Sequence, residues 1–312
     1  MKNKAAVLSF AQRCRNILAS NWEAHLHTIK ADAEGSKGAI HSSKVYYTFH
    51  KGRPLLLVPE GDLHNMNMII DERGSLSVCS NVPGPLLRLL RSLKKLPARV
   101  ALTGDVVPVK DKKVQAVIDS LNESVLREHK IASKFSHSVS AILTSAGPKC
   151  NSRSEGLRNI LNQIQSYNLY KFNIGSCAYM DGSDDTHDVD LEDLEEPKTD
   201  LLLPFSAKLI DGINQSQTRR RALMLFCFEY FNAIARDALM LSIDQNGFDV
   251  LAKVPQKLNS TGVAQQYQYH WKEFRFIFNF SSIFSFFSSI EECLKLSPCC
   301  LLPNLVTLSY WF

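Results

Sequence analysis

Several signals that would assign a function outright are missing from this chain of 312 residues. Its eight cysteines include no Cys-x-x-Cys pair and no zinc-ligand spacing, which speaks against a zinc ribbon or a redox dithiol. They read instead as buried thiols of a reducing compartment. Basic residues exceed acidic ones by only 36 to 31 and gather in no dense patch, so nucleic acid is not the leading partner. No apolar run reaches the roughly 20 residues that span a bilayer. Ile277 to Ile290 alternates Phe and Ser without charge, yet falls short. A secretory signal is absent too: Val7, Phe10, Ala11, Cys14, Ile17 and Leu18 recur at helical spacing, and Arg13 and Arg15 interrupt any apolar core. No nucleophile and base pair is visible.

What is present is a series of short strands. Trp22 to Ile29 and Ile40 to Phe49 read as strands, the second with Val45, Tyr47 and Phe49 on one face. Lys51-Gly52 turns the chain into Leu55 to Val58. Strands over Gly74 to Ser80 and Arg99 to Val107 follow, and Pro83-Gly84-Pro85 breaks the first. Leu86 to Leu96 is a basic amphipathic segment, a solvated loop or short helix. Lys112 to Glu128 is an amphipathic helix on Val114, Val117, Ile118, Leu121 and Val125. The alternation of Phe135, His137, Val139, Ala141 and Leu143 predicts a further barrel strand to Thr144. A helix from Glu155 to Gln165 and a strand from Tyr167 to Tyr179 complete this part.

From Asp184 to Glu196 the chain is acidic, and without a Gly-centred calcium loop it reads as a solvated, partly mobile linker. Beyond it, helices are predicted over Leu201 to Asn214 and Thr218 to Ala235. A hairpin of Leu239 to Ile243 and Phe248 to Val254 follows, in which Asn246-Gly247 supplies the positive φ angles of a tight turn. A third strand runs over Tyr269 to Phe278. Arg219, Arg220 and Arg221 begin a helix, where the macrodipole disfavours cations. An anion should compensate: the acidic linker, or a ligand carboxylate or phosphate. The organisation expected is a domain at 1–181, an acidic linker at 182–199, a small α+β domain at 200–276 and an atypical hydrophobic tail at 277–312.

The ordered set Val58-Pro59-Glu60-Gly61-Asp62-Leu63-His64, with His64 and Asn67 on a His-x-x-Asn pattern, and Arg99-Val100-Ala101-Leu102-Thr103-Gly104 resembles the flavin-binding split barrels of the pyridoxamine-phosphate-oxidase type. It is closer to their HugZ-like haem-handling relatives. Ile213-Asn214 and Asp244 to Asp249 match a small domain appended to the barrel in plastid relatives. The likeness covers roughly Ala5 to Phe276, and the segment after it reads as a replaced C-terminus. The resemblance implies an α+β fold, a Greek-key split β-barrel followed by a small α+β domain. It implies a polar turn facing the ligand after the Leu55 to Val58 strand, and a homodimer formed through the barrel. Haem or FMN would be the cofactor.

His64 is then a ligand-facing donor or a haem axial ligand; read without the family it is a turn-capping side chain bonded to local backbone. Lys44, Tyr47, Asn65, Asn67 and Arg99 border the cleft in relatives. Two departures stand out: Met66 where many relatives carry an Arg suited to the flavin phosphate, and Asn214-Gln215-Ser216-Gln217 where relatives carry Asn-x-Asp-His. Three functions follow as expectations. The first is a haem-oxygenase-related protein of tetrapyrrole metabolism. The second is a non-catalytic regulatory protein, resembling those that bind glutamyl-tRNA reductase, with a tetrapyrrole-pathway protein as partner. The third is an FMN-dependent oxidoreductase. Relatives work in chloroplasts; without a transit peptide this chain, if complete, would be cytosolic.

Overall fold

A computed structural model describes residues 8–31, 38–50, 52–183, 185–194, 200–257 and 267–278. Of the tail expected at 277–312, residues 279–312 lie outside them, as do residues 195–199 of the acidic linker; Ile277 ends the last strand. The first helix, α1 (Phe10–Ser20), starts on a reciprocal cap in which Ser9 accepts from the Gln12 backbone and Gln12 accepts from the Ser9 backbone. Its buried residues Ala11, Cys14, Ile17 and Leu18 follow the predicted stripe, but Phe10 lies at the surface, stacked on His187.

Strands β1 (Glu23–Ile29), β2 (Ile40–His50) and β3 (Arg53–Pro59) come next, followed by a short helix, α2 (His64–Ile70). The expected polar turn is therefore the entrance to a helix. Then come β4 (Arg73–Cys79), α3 (Gly84–Ser92), β5 (Arg99–Pro108), α4 (Asp111–Ala132), α5 (His137–Thr144), α6 (Arg153–Leu161) and the long β6 (Tyr167–Met180). The sheet order β3-β2-β1-β4-β5-β6 is antiparallel throughout, and β3 pairs with β6, closing a six-stranded barrel. Alternate residues Leu26, Val45, Tyr47, Leu56, Leu76, Leu102 and Phe172 fill its interior and are fully buried. Such side chains contribute about 1.5–3 kcal/mol each. β5 slips register against β6 at Thr103/Gly104, leaving Gly175 as the extra residue. A Cβ at Gly104 would meet the Asn173 carbonyl oxygen, so the close approach requires glycine there.

Phe135 to Thr144, expected as a strand, is the helix α5. Ser136 caps the Val139 backbone N–H, and Val139 and Ile142, one turn apart, are both buried. A short apolar window with serines fits both periods, and the cap decides it. The acidic run is also ordered in part: β7 (Thr186–Val189) extends the sheet on β6, and α7 (Leu191–Leu194) is a single helical turn whose Asp193 carbonyl accepts from Arg15 of α1.

A 3-10 turn at Leu203–Phe205 leads into α8 (Ser206–Gln215) and α9 (Gln217–Phe231), which pack on a second antiparallel sheet of β8 (Asp237–Asp244), β9 (Gly247–Lys257) and β10 (Tyr267–Ile277). Its core also takes Leu86 and Leu90 of α3 and Val139 and Ile142 of α5. In the β8–β9 turn only Gly247 has positive φ; Asn246 does not, because the Asp244 carboxylate accepts the Asn246 backbone N–H and holds the turn. Two arginines of the cluster have partners among the described residues outside the acidic run. Arg219 donates to Ser145 and to the Gly212 carbonyl, and Arg220 pairs with Asp237. Cys14, Cys177 and Cys227 are buried as expected, whereas Cys79 is exposed and Cys150 half-buried.

Candidate functional site

One end of the barrel is closed by polar side chains. Along β2 the inward-facing row runs Tyr47, Val45, Ser43, His41 and passes from apolar to polar toward this end. β1 adds Thr28, the loop after β3 adds Asp62, and the first turn of α2 adds His64 and Asn67. His64 Nδ1 lies 2.7 Å from Thr28 Oγ1. Asn67 donates from Nδ2 to the same hydroxyl at 2.8 Å, and its Oδ1 accepts the Ala31 backbone N–H at 2.9 Å. Asp62 Oδ1 accepts from His41 Nε2 at 3.0 Å and from the His64 backbone N–H at 2.9 Å, while Ser43 donates to Oδ2. The His41 and His64 rings are 4.5 Å apart between centroids.

His64 has no exposed side-chain surface, and its Nε2 has no hydrogen-bond partner among the described residues. Burial pushes its imidazole down to about 4, with the Asp62 carboxylate opposing. Burial works to raise the Asp62 carboxyl, but hydrogen bonds from the His64 backbone, Ser43 and His41 hold it below its usual range. The result is a neutral imidazole facing a carboxylate. A haem iron would reach that Nε2 only after the barrel mouth opened.

Of the six residues singled out in the sequence, the structure brings His64 and Asn67 together. Asn65, between them, points the other way: its Nδ2 donates to the Pro59, Glu60 and Asp62 carbonyls, and its Oδ1 accepts from Asn168 and Tyr170. Tyr47 is buried inside the barrel, where its hydroxyl donates to the Leu18 carbonyl. Lys44 sits on the outside, paired with Glu23 at 2.7 Å. Arg99 also faces outward, opposite Cys79 and Met180. Met66 is exposed on α2. Asn214 bonds the Met240 backbone through both its Nδ2 and its Oδ1, pinning α8 to β8.

The outward face that holds Lys44 and Arg99 was not singled out as a surface. Registered across strands, it carries Ser42, His27, Ser75, Thr103 and Ser176 in one row and Lys44, His25, Ser77, Ala101 and Ala178 in the next. His25 is exposed and His27 half-buried. Burial and the neighbouring His25 lower the His27 pKa. The signal was legible: His25-x-His27 alternates against the buried Ala24, Leu26 and Thr28. Elsewhere, an open cleft of about 320 Å³ lies between the 146–151 loop, α6 and α8. The Lys208–Glu155 ion pair bridges its two helices, and no residue expected in the site borders it.

No protein-family model matches the chain, and no curated protein matches it. Among solved structures, a heme binding protein from Mycobacterium smegmatis superposes with a TM-score of 0.51 at 15% identity, over 93% of this chain and 100% of that chain. A FAD-binding protein from Mesorhizobium loti has a TM-score of 0.33 at 15% identity, over 55% of this chain and 94% of its own. A Clostridium acetobutylicum protein of the pyridoxinephosphate oxidase family, related to general stress protein 26, has a TM-score of 0.35 at 9% identity, over 60% and 97%. These two are too distant to carry any argument. The closed antiparallel barrel and the first superposition together give the chain its fold: an α+β split barrel of Greek-key type, followed by a small α+β unit.

Proposed function

We propose that the chain pairs with a second copy over the outward face of β1, β4, β5 and β6 and holds a flat anionic cofactor there, haem ahead of FMN. The carrying observation is that face itself. Ser, Thr and Ala side chains leave the sheet low enough for a planar ring, and two imidazoles stand among them. His27, held toward its neutral form, suits iron ligation. Arg99, and Lys44 on exchanging Glu23 for the ligand, would supply positive charge for a ligand's carboxylates. The superposition on a heme binding protein, which extends through the second sheet, supports the same reading. FMN is placed second because Met66, exposed on α2, stands where many relatives carry an Arg suited to the flavin phosphate.

Bound haem would supply oxygen chemistry; the residues around it ligate, orient and exclude water. A haem-oxygenase-related role in tetrapyrrole metabolism is the reading we favour. A non-catalytic binding role is favoured by one observation: Ser216 and Gln217 stand where relatives carry the ionisable Asp-His, and Ser216 serves instead as the cap of α9, its Oγ accepting the Arg219 backbone N–H.

Titrating the purified full chain with haem should give a saturable Soret band, and FMN little fluorescence quenching. His25→Ala and His27→Ala together should abolish the band. Ala101→Glu should convert a dimer in sedimentation into a monomer and weaken haem binding with it. A monomeric wild-type chain with no Soret band would end this reading. Loss of that band with a reductant and oxygen, with a bile pigment appearing, separates the enzyme from the binding protein.

A further inference from the structure

Inside the barrel mouth, away from the outward face, three donor atoms converge, and one of them, His64 Nε2, has no hydrogen-bond partner among the described residues. His41 Nε2, an Asp62 carboxylate oxygen and His64 Nε2 all lie within 4.8 Å of one another. Asp62 Oδ1 is 3.0 Å from His41 Nε2 and 4.0 Å from His64 Nε2. We infer that His41, Asp62 and His64 bind a divalent first-row transition ion, with zinc as the simplest probe, at the mouth of the barrel. The inference does not depend on the cofactor reading.

Two features carry it. The first is the orphaned Nε2 of His64, buried and aimed at Asp62. A buried ring nitrogen without a partner is costly. An ion bound by that nitrogen removes the deficit. The second is the arrangement behind the ring. Asn67 Oδ1 accepts a backbone N–H, which fixes its Nδ2 as the donor to Thr28 Oγ1. Thr28 Oγ1 keeps a second lone pair, 2.7 Å from His64 Nδ1. Ion binding selects the tautomer in which Nδ1–H donates to that hydroxyl and Nε2 presents its lone pair to the site. A ring held from behind by a hydrogen bond through its other nitrogen is how protein imidazoles are oriented toward metals.

The donor set selects the ion class. Two imidazoles and one carboxylate suit zinc, iron(II), cobalt(II) or nickel(II) better than magnesium or calcium. Donor-to-metal distances of about 2.0–2.2 Å put tetrahedral donors roughly 3.4 Å apart, so His64 Nε2 must move toward Asp62 and His41 by about half an ångström or more, within reach of a side-chain rotation. At present the His41 Nε2 proton lies between His41 and Asp62; the ion takes its place, and that proton moves to Nδ1 or to solvent. Side-chain exposures of 20% at His41 and 13% at Asp62 leave a route in from solvent, and water or the Ser43 hydroxyl would complete the coordination. The ion would tie β2 to the 60–63 loop and α2.

The full chain, stripped with a chelator and dialysed against zinc or cobalt(II), should retain one ion per chain, show visible cobalt absorption and melt at a higher Tm. Thr28→Val keeps all three ligands and should weaken affinity by about 10- to 100-fold. His64→Gln and Asp62→Asn should abolish retention. The His25→Ala/His27→Ala double variant, which tests the cofactor face, should leave it unchanged. A stripped wild-type chain that takes up no zinc and gives no cobalt band overturns the inference, as does retention that survives Asp62→Asn and disappears with His25 and His27. If His64→Gln does not fold, the wild-type stoichiometry and the other two variants decide.

Discussion

Buried charge in this molecule is paired between elements. Arg153 of α6 donates to Glu128 of α4 at 2.7 Å and to Thr48 of β2 at 2.8 Å, and Arg275 of β10 holds Asp249 of the adjacent β9 and Asp244 at the end of β8. Removing one member strands the other. Arg153→Ala should lower stability by roughly 3–5 kcal/mol, read from the urea midpoint. Burial raises the Glu128 carboxyl, with Arg153 opposing. The folded state therefore binds that proton more tightly than the unfolded chain does. Its stabilising contribution is complete below the ordinary glutamate range and is lost as pH rises through the raised value. Urea midpoints taken against pH should show this component in the wild type and not in Glu128→Gln; identical profiles would refute it. At this scale the sequence was partly legible. His64 and Asn67 sit one helical turn apart, so His-x-x-Asn puts both on one face. Their partners Thr28 and His41 arrive across the barrel from other strands, and no local spacing announces them.

Elements meet closely at particular small residues. α6 lies against Trp22 at Gly156, where an added Cβ would come within 2.3 Å of the indole. Gly156→Ala should therefore cost about 1–3 kcal/mol and change the tryptophan fluorescence, since Trp22 is buried in that contact. An unchanged Tm would show that α6 can slide. The reading of elements succeeded where one signal dominated: the strands β1, β2, β4 and β5 and the helix α4 each present a single repeating face, and β3, buried on both faces, shows a continuous apolar run. It failed at α5, whose eight residues satisfy both periods, and at β7, where Asp188 and Thr186 face outward and only Val189 is buried. Charge density hid a strand because one strand face is free to be charged when it is solvated.

On the scale of the whole molecule, the two sheets share more than a linker. Leu86, Leu90, Val139 and Ile142, all within the first 181 residues, lie in the core of the second sheet, and Asn16 of α1 donates to Asp244 of β8. Residues 1–199 expressed alone should expose those four side chains, bind a hydrophobic dye and aggregate. A soluble, monodisperse fragment would show that the boundary drawn from composition is also a physical one. Composition alone could not reveal a shared core, because α3 and α5 present ordinary amphipathic faces whichever layer they cover. The closure of the barrel has a consequence for biosynthesis. Pro59 pairs with Tyr167, so a leucine-rich edge waits on the ribosome while everything between them is translated. Through that interval it is open to any other nascent strand, and holdase chaperones would find their main client segment there.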